Sequence, residues 1–576
     1  MPRHALLAVI SLAPCAGLWA AQPSADQSAR LDAWLAKTGQ SYDAPKAMLE
    51  SIWTGPGYHS KVPPGVRVHS TRSSLLYAEA LVRRGRADDL ARAADVIRAV
   101  LAQQDTDPAS RTYGIWPWLL EEPLAKMAPP DWNWADFLGA SLAEMLVGPA
   151  ERLPRALQAA MRTSLGHAAA AIRKRNVGPD YTNIAIMGGV VTAAAGEILA
   201  DSALLAYGRD RLQRCVAHAR HHGNFTEYNS PTYTMVALEE AERGLRLIRD
   251  PQARAAAEDL RRIAWRTIAE SYHPATAQWA GPHSRAYSDR LSDQTLQKLA
   301  DRTGLKLLDE PAVVLPNEAP PCPPDYAQRM RKLPADPLEL QRPFARNREG
   351  KDVIHGVTWL TADAALGSVN RCETWVQRRA ILGYWKTSSA PAVFRVRLLK
   401  EGKDFSSGHL TTAQRGAALL TVLSAHGNRG DWHISLDRPK DAVFRIAELR
   451  WRFQVQGRGA AVKALGAGRY ELACGPRRIV LRAADGLFDG APVTWQSGTE
   501  QAGDETVAWV DAVCCRGQAR EFNFRTLGPI RLAAAAELLT ADQKPTDETL
   551  NVAPADKDAV RATWGRLTVT APMTVK

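Results

Sequence analysis

The chain is poor in the features that would assign it quickly. It has seven cysteines in 576 residues. One of them, Cys15, falls inside the apolar N-terminal stretch. The other six (Cys215, Cys322, Cys372, Cys474, Cys514 and Cys515) are scattered, with no CxxC and no ligand spacing for a metal. No metal or cofactor is therefore expected. No run of lysine and arginine and no nucleic-acid motif is present, so nucleic acid is not the expected partner. After the N-terminus no segment is apolar for long enough to span a bilayer, so stable membrane insertion is not expected either.

What is present is a moderate basic surplus: 73 lysines and arginines against 61 acidic residues, a formal +12. With nucleic acid and membrane set aside, this balance points to an anionic polymer. Arg3 and His4 precede an apolar stretch from Ala5 to Ala21, which reads as a signal peptide over residues 1–21 and predicts a periplasmic or secreted protein. The length exceeds what one core supports, so two domains are expected.

From 22 to 310 the hydrophobic period is helical. Leu157, Met161, Leu165, Ala168 and Ile172 share one face after Pro154. Ser230-Pro231 reads as the N-cap and first position of another helix, and Ser292 and Gly304 bracket a third. Ten to twelve helices in pairs predict an α/α toroid, an incomplete barrel of helix pairs. Residues 311–343 hold nine of the 36 prolines; Pro320-Pro321-Cys322-Pro323-Pro324 cannot be helical, and the segment reads as a linker. From 344 to 576 the period falls to two: Phe394, Val396 and Leu398 alternate with Arg395 and Arg397, as on strands of an antiparallel β-sandwich.

Four clusters in the helical half are too polar and aromatic for packing alone: Tyr58 to Arg72, Tyr113–Trp118 with Asp131–Asp136, Asp180–Asn183 with His221–Tyr233, and Gly281–Arg290. Trp116, Trp118, Trp132 and Trp134, with Asn133 and Asn229, suit sugar binding: indole faces stack on pyranose C–H faces while amides bind hydroxyls. Each residue also has a plainer reading. The tryptophans could be core, Asn183 and Asn229 could be caps, Glu227 could be a solvated acid, and His222 could be a helix-end histidine.

Elimination from a uronate needs a small set of groups. A base removes the C5 proton beside the carboxylate, and a neutraliser stabilises the enolate that develops. Asn183 and Glu227 suit neutralisation, Tyr287 the proton transfer, and Arg285 and His283 the tuning of that tyrosine. Together with the helix-linker-sandwich order, these residues resemble the toroid-class polysaccharide lyases: heparinase II/III, chondroitin, hyaluronan and alginate lyases. The Gly223–Tyr233 loop also resembles segments of the glucuronan and alginate enzymes. The resemblance implies a lyase acting on an acidic polysaccharide, with Asn183, Glu227, Arg285 and Tyr287 in the toroid cleft, His222 or His283 as the histidine, and Tyr233 as the alternative base. The competing expectations are a toroid glycoside hydrolase using Glu227 with Asp136 or Asp289, and a non-catalytic polysaccharide-binding protein.

Overall fold

A computed structural model describes residues 25–573 except Pro56 and His426. The signal-peptide segment lies outside the described residues. Eleven α-helices occur among the described residues: α1 Ala25–Gly39, α2 Thr71–Arg84, α3 Ala87–Leu101, α4 Trp134–Val147, α5 Arg155–Arg175, α6 Thr182–Ile198, α7 Ser202–His222, α8 Tyr233–Leu247, α9 Pro251–Ser271, α10 Asp293–Thr303 and α11 Pro324–Arg331. None is long and apolar enough to cross a membrane.

The helices form two concentric layers. α2, α4, α6 and α8 pack side by side as an inner wall, and each is backed by the helix that follows it in sequence. An inner helix buries nearly its whole circumference. α6 is accordingly apolar all round, from Ile184 to Gly196, and does not carry a single stripe. Its contact with α7 is a backbone contact. A Cβ on Gly208 would fall 2.3 Å from Ala193 N, so only glycine admits this spacing. The helical half is thus the α/α toroid that its pairing predicts.

One predicted helix start moves. α8 begins at Tyr233 and not at Pro231, although Ser230 Oγ still accepts from Tyr233 N at 3.0 Å. The proline-rich segment is not devoid of structure. Pro324 opens α11, because a proline at the first helical position gives up an N–H that would be unpaired there anyway. The first sandwich strand, Leu338–Arg346, starts before residue 344.

The second half is antiparallel throughout. One large sheet runs from Leu338–Arg346 at one edge, through Ala392–Lys400 and Val443–Gly457, to Thr494–Ala502 at the other. A seven-stranded sheet faces it across a core of Phe394, Phe405, Phe444, Trp451, Phe453 and Leu481. The terminal strands, Asn551–Pro572, cover the outer face of that second sheet through Trp564 and Val569. Cys514 is buried in the sandwich core and its half-buried neighbour Cys515 packs against the same core, because a bulge where the strand pairs with Leu449 and Arg450 interrupts the alternation there.

The halves meet where the Ala280–Arg290 segment lies on the large sheet. Gly367, on strand Ala364–Val369, takes the close approach: a Cβ there would be 1.9 Å from Gly281 O.

Candidate functional site

The N-terminal ends of α2, α4, α6 and α8 open on one cleft of about 790 Å³. Four helix dipoles therefore present their positive ends to it, a setting that favours an anionic ligand. Each inner helix brings a cleft residue in its first turn: Arg72 from α2, Trp134 and Phe137 from α4, Asn183 from α6, and Tyr233 from α8. Two loops add the rest. The 280–290 segment supplies Arg285 and Tyr287, and connections of the β-sandwich supply Trp375 and His433–Leu436.

At the centre, Asn183 is 1% exposed, and its Nδ2 donates to Glu227 Oε2 at 2.6 Å. Its backbone N–H donates to the same oxygen at 3.1 Å. Arg285 Nη1 donates to Glu227 Oε1 at 2.9 Å. Glu227 thus lies behind both groups with its two oxygens occupied, and it does not line the cleft. It fixes where the amide and the guanidinium point. The sequence pairs Glu227 with Asn183 as a neutraliser; in the structure its carboxylate is instead engaged by the Asn183 amide and the Arg285 guanidinium.

Arg285 also lies flat over the Tyr233 ring, 4.0 Å from its centroid. Tyr233 OH and Tyr287 OH share a hydrogen bond of 2.6 Å. Burial pushes the Tyr233 hydroxyl well above the usual phenol range, with the Arg285 charge opposing it. Tyr287 is 57% exposed and projects into the cleft.

Three of the four predicted platform tryptophans reach the cleft: Trp118, Trp132 and Trp134. Trp118 and Trp134 stack with centroids 5.0 Å apart. Trp118 Nε1 donates to Asp131 Oδ2, and Trp134 Nε1 to Thr71 Oγ1, each at 3.1 Å. Asn133 joins them, accepting from Arg175 Nη1 at 2.6 Å and donating to Tyr181 OH at 3.1 Å.

The remaining predicted residues have structural tasks. Trp116 is wholly buried, with its indole N–H on Val100 O, and it belongs to the helical core. Asn229 is buried in the left-handed conformation (φ 44°). Its Nδ2 donates to Ala280 O and Pro282 O, and its Oδ1 accepts from Trp279 Nε1. It ties the 223–232 loop to the 280–290 segment, and its amide is engaged by these three bonds. His283, 2% exposed, donates from Nδ1 to Asn229 O at 2.7 Å, and burial lowers its pKa to about 3. It is a neutral brace outside the cleft. His222 is the last residue of α7, and its Nδ1 accepts from Arg346 N at 2.9 Å. Burial and the adjacent His218 hold its pKa below the usual imidazole range.

The hydrolase carboxylates also fall elsewhere. Asp136 is buried beneath α6, and burial raises its pKa to about 7. Asp289 is ion-paired with Arg379 and Arg395, which hold its pKa down at about 2 although its burial pulls the other way. Neither lines the cleft.

The histidines that do line it are His59 and His433. His433 packs against Tyr58 (4.5 Å) and Trp375 (5.0 Å), and burial lowers its pKa to about 4. From sequence, Tyr58 and His59 stand out only as part of a polar cluster, and Gln377, Trp375 and His433 do not stand out as site residues. The one signal in their favour is Asp431-Trp432-His433, an aromatic and a histidine on the long connection between strands Ala418–Ala425 and Val443–Gly457.

Comparisons with known proteins add the following. The model of a family described as a domain of unknown function (DUF8769) matches residues 44–297. No curated protein matches the sequence. Among solved structures, heparinase III aligns over 97% of this chain and 93% of its own, at 10% identity and a TM-score of 0.46. The heparan sulfate lyase HepC of Pedobacter heparinus aligns over 96% and 90%, at 8% identity and a TM-score of 0.37. The endoglucanase CelQ of Clostridium thermocellum aligns over 90% and 84%, at 10% identity and a TM-score of 0.24.

Proposed function

We propose that the protein is a polysaccharide lyase that cleaves a uronate-containing polymer by β-elimination. One observation carries this reading. The Asn183 amide and the Arg285 guanidinium, both fastened to Glu227, stand in one cleft beside the Tyr233–Tyr287 hydroxyl pair. An amide and a guanidinium set side by side suit a carboxylate: each offers N–H groups, and Asn183 Nδ2 keeps a second N–H beyond the one given to Glu227. Donors already in place stabilise the enolate that develops on that carboxylate without reorganising during the reaction. Tyr287 then takes the C5 proton, and the C4–O4 bond breaks as the C4–C5 double bond forms. The positive helix ends and Arg72 and Arg175 attract the polyanion, while Trp118, Trp132 and Trp134 give its rings a surface to stack on.

The hydrolase reading requires two free carboxylates facing one sugar bond. Glu227 is engaged by two donors' side chains, and Asp136 and Asp289 stand outside the cleft. The deciding experiment is incubation with a panel of polyuronates and glycosaminoglycans. The expected product carries an ultraviolet-absorbing unsaturated uronate at its new non-reducing end. New reducing ends without that absorbance would replace the reading with hydrolysis. Binding without any cleavage would reduce the protein to a polysaccharide-binding module.

A further inference from the structure

Four tyrosines line the cleft, and the hydrogen bonds divide them: Tyr181 sits on the helical side, where its hydroxyl accepts from Asn133 Nδ2 at 3.1 Å. Tyr233 and Tyr287 are bonded to each other, so one of their two protons is already spent. Tyr58 stands apart, and the β-sandwich holds it. Gln377 is buried (1% exposed), and its Oε1 accepts from Arg285 Nε at 2.9 Å. A guanidinium can only donate, so the amide oxygen must face Arg285 and the amide N–H₂ must face the other way. That nitrogen donates to Tyr58 OH at 2.9 Å. The Tyr58 oxygen is thereby an acceptor, and its own proton is turned away from Gln377. The ring is gripped by Trp432, stacked at 5.1 Å, and by His433 at 4.5 Å, which restricts it to this pose.

We propose that Tyr58 is the general acid that protonates the leaving O4, with Gln377 as its positioning residue. The inference rests on the elimination reading above and splits a role that Tyr287 alone could otherwise fill. The balance is complete. Tyr287, as its phenolate, accepts the C5 proton, and the C5–H electrons become the C4–C5 double bond. The C4–O4 electrons leave with oxygen, and Tyr58 gives its proton to O4. The Gln377 N–H that points at the Tyr58 oxygen stabilises the phenolate left behind. Burial raises the Tyr58 hydroxyl above its ordinary range while the Gln377 bond opposes the rise, so it enters the step protonated, as an acid must.

The test compares two substrates. The first is the natural polymer that wild type cleaves. The second is a 4-deoxy-4-fluoro uronoside, whose fluoride departs without a proton. Tyr58→Phe should lower kcat on the polymer by about 10²–10⁴-fold. Its loss on the fluoride substrate should be at least about tenfold smaller, because a Brønsted acid contributes little to a leaving group that needs no proton. In D₂O the variant should still exchange the C5 proton of bound substrate, whereas Tyr287→Phe should not. Gln377→Glu keeps an acceptor for Arg285 but invites Tyr58 to donate backwards, so kcat should fall with KM little changed. Equal losses on the two substrates, or loss of C5 exchange in Tyr58→Phe, would overturn the proposal. If wild type eliminates neither substrate, the elimination reading itself has failed, which is a distinct result.

Discussion

The inner wall of the toroid holds two cavities with opposite habits. The cleft sits at the helix N-termini, and a well of about 220 Å³ lies further along the same helices. Both are written on one face of each helix. α2 gives Arg72 to the cleft and Glu79 and Arg83 to the well; α8 gives Tyr233 to the cleft and Glu240, Arg243 and Arg246 to the well. Arg72, lying 3.8 Å over the Phe137 ring, lines both and separates them, together with Val236. In the well the charges answer one another. Glu144 accepts from Arg243 at 2.8 Å and from Arg246 at 3.1 Å, and Glu239 pairs with Lys298 at 2.8 Å. In the cleft the one tight pair, Arg285–Glu227, has its anion withdrawn behind the wall, so the cation and the Asn183 amide are left facing the ligand. Charge density alone therefore does not mark a site; what distinguishes the two cavities is whether the partners are spent on each other.

Three substitutions would break or sharpen that contrast. Tyr287→Phe acts on the cleft alone. It should lower kcat by about 10²–10⁴-fold, the usual size of a proton-transfer contribution, with an unchanged melting temperature. Near-full activity in this variant would transfer the role to Tyr233.

Glu144→Ala does the reverse. It leaves Arg243 and Arg246 facing each other in the well and should cost about 3–5 kcal/mol in chemical denaturation. Activity per folded molecule should persist. A kcat collapse without loss of stability would show that the well takes part in the reaction.

The smallest effect is a slope. Burial, and then the Glu144 charge, raise Glu79 from 4.5 to about 7. A group whose folded pKa is raised stabilises the fold fully below its unfolded value. That contribution is lost as pH climbs from about 4.5 through about 7. Glu79→Gln, neutral at every pH, should flatten the decline in melting temperature across this window. An unchanged slope would assign the decline to other groups.

Much of the fold could be read from the sequence because it is written in local period. The stripe from Leu157 to Ile172 became α5, and the alternation at Phe394–Leu398 became a core strand. The proline-rich segment holds one short helix, Pro324–Arg331, because proline breaks a helix from within but is welcome at its start. The site was legible in kind more than in detail. Asn183, Arg285, Tyr287 and Tyr233 do converge, yet Asn229 and His283 come from the same polar loops and brace those loops against each other. Trp116 and Trp118 are the same residue type two positions apart, and only the packing of α3 separates a core indole from a cleft indole. Gln377 carries no local signal, and His433 carries only the aromatic–histidine run Asp431-Trp432-His433. Their place depends on how sandwich connections dock on the helical ring, across 319 positions for the Gln377–Tyr58 bond, and no local pattern encodes that.

Gly367 gives that docking a further meaning. Because the sheet there has no side chain, the 280–290 segment rests directly on sandwich backbone, and Arg285 and Tyr287 inherit their coordinates from it. The two halves are thus not a catalytic unit with an appendage but a vice, with one jaw made of helix ends and the other of strand connections. The jaw of strand connections can change in length and lining without disturbing the helical ring. If the cleft binds a polymer as proposed, natural or designed variation in what it accepts should therefore collect between strands, at Trp375 and across 431–436, while the four helix starts opposite stay the same.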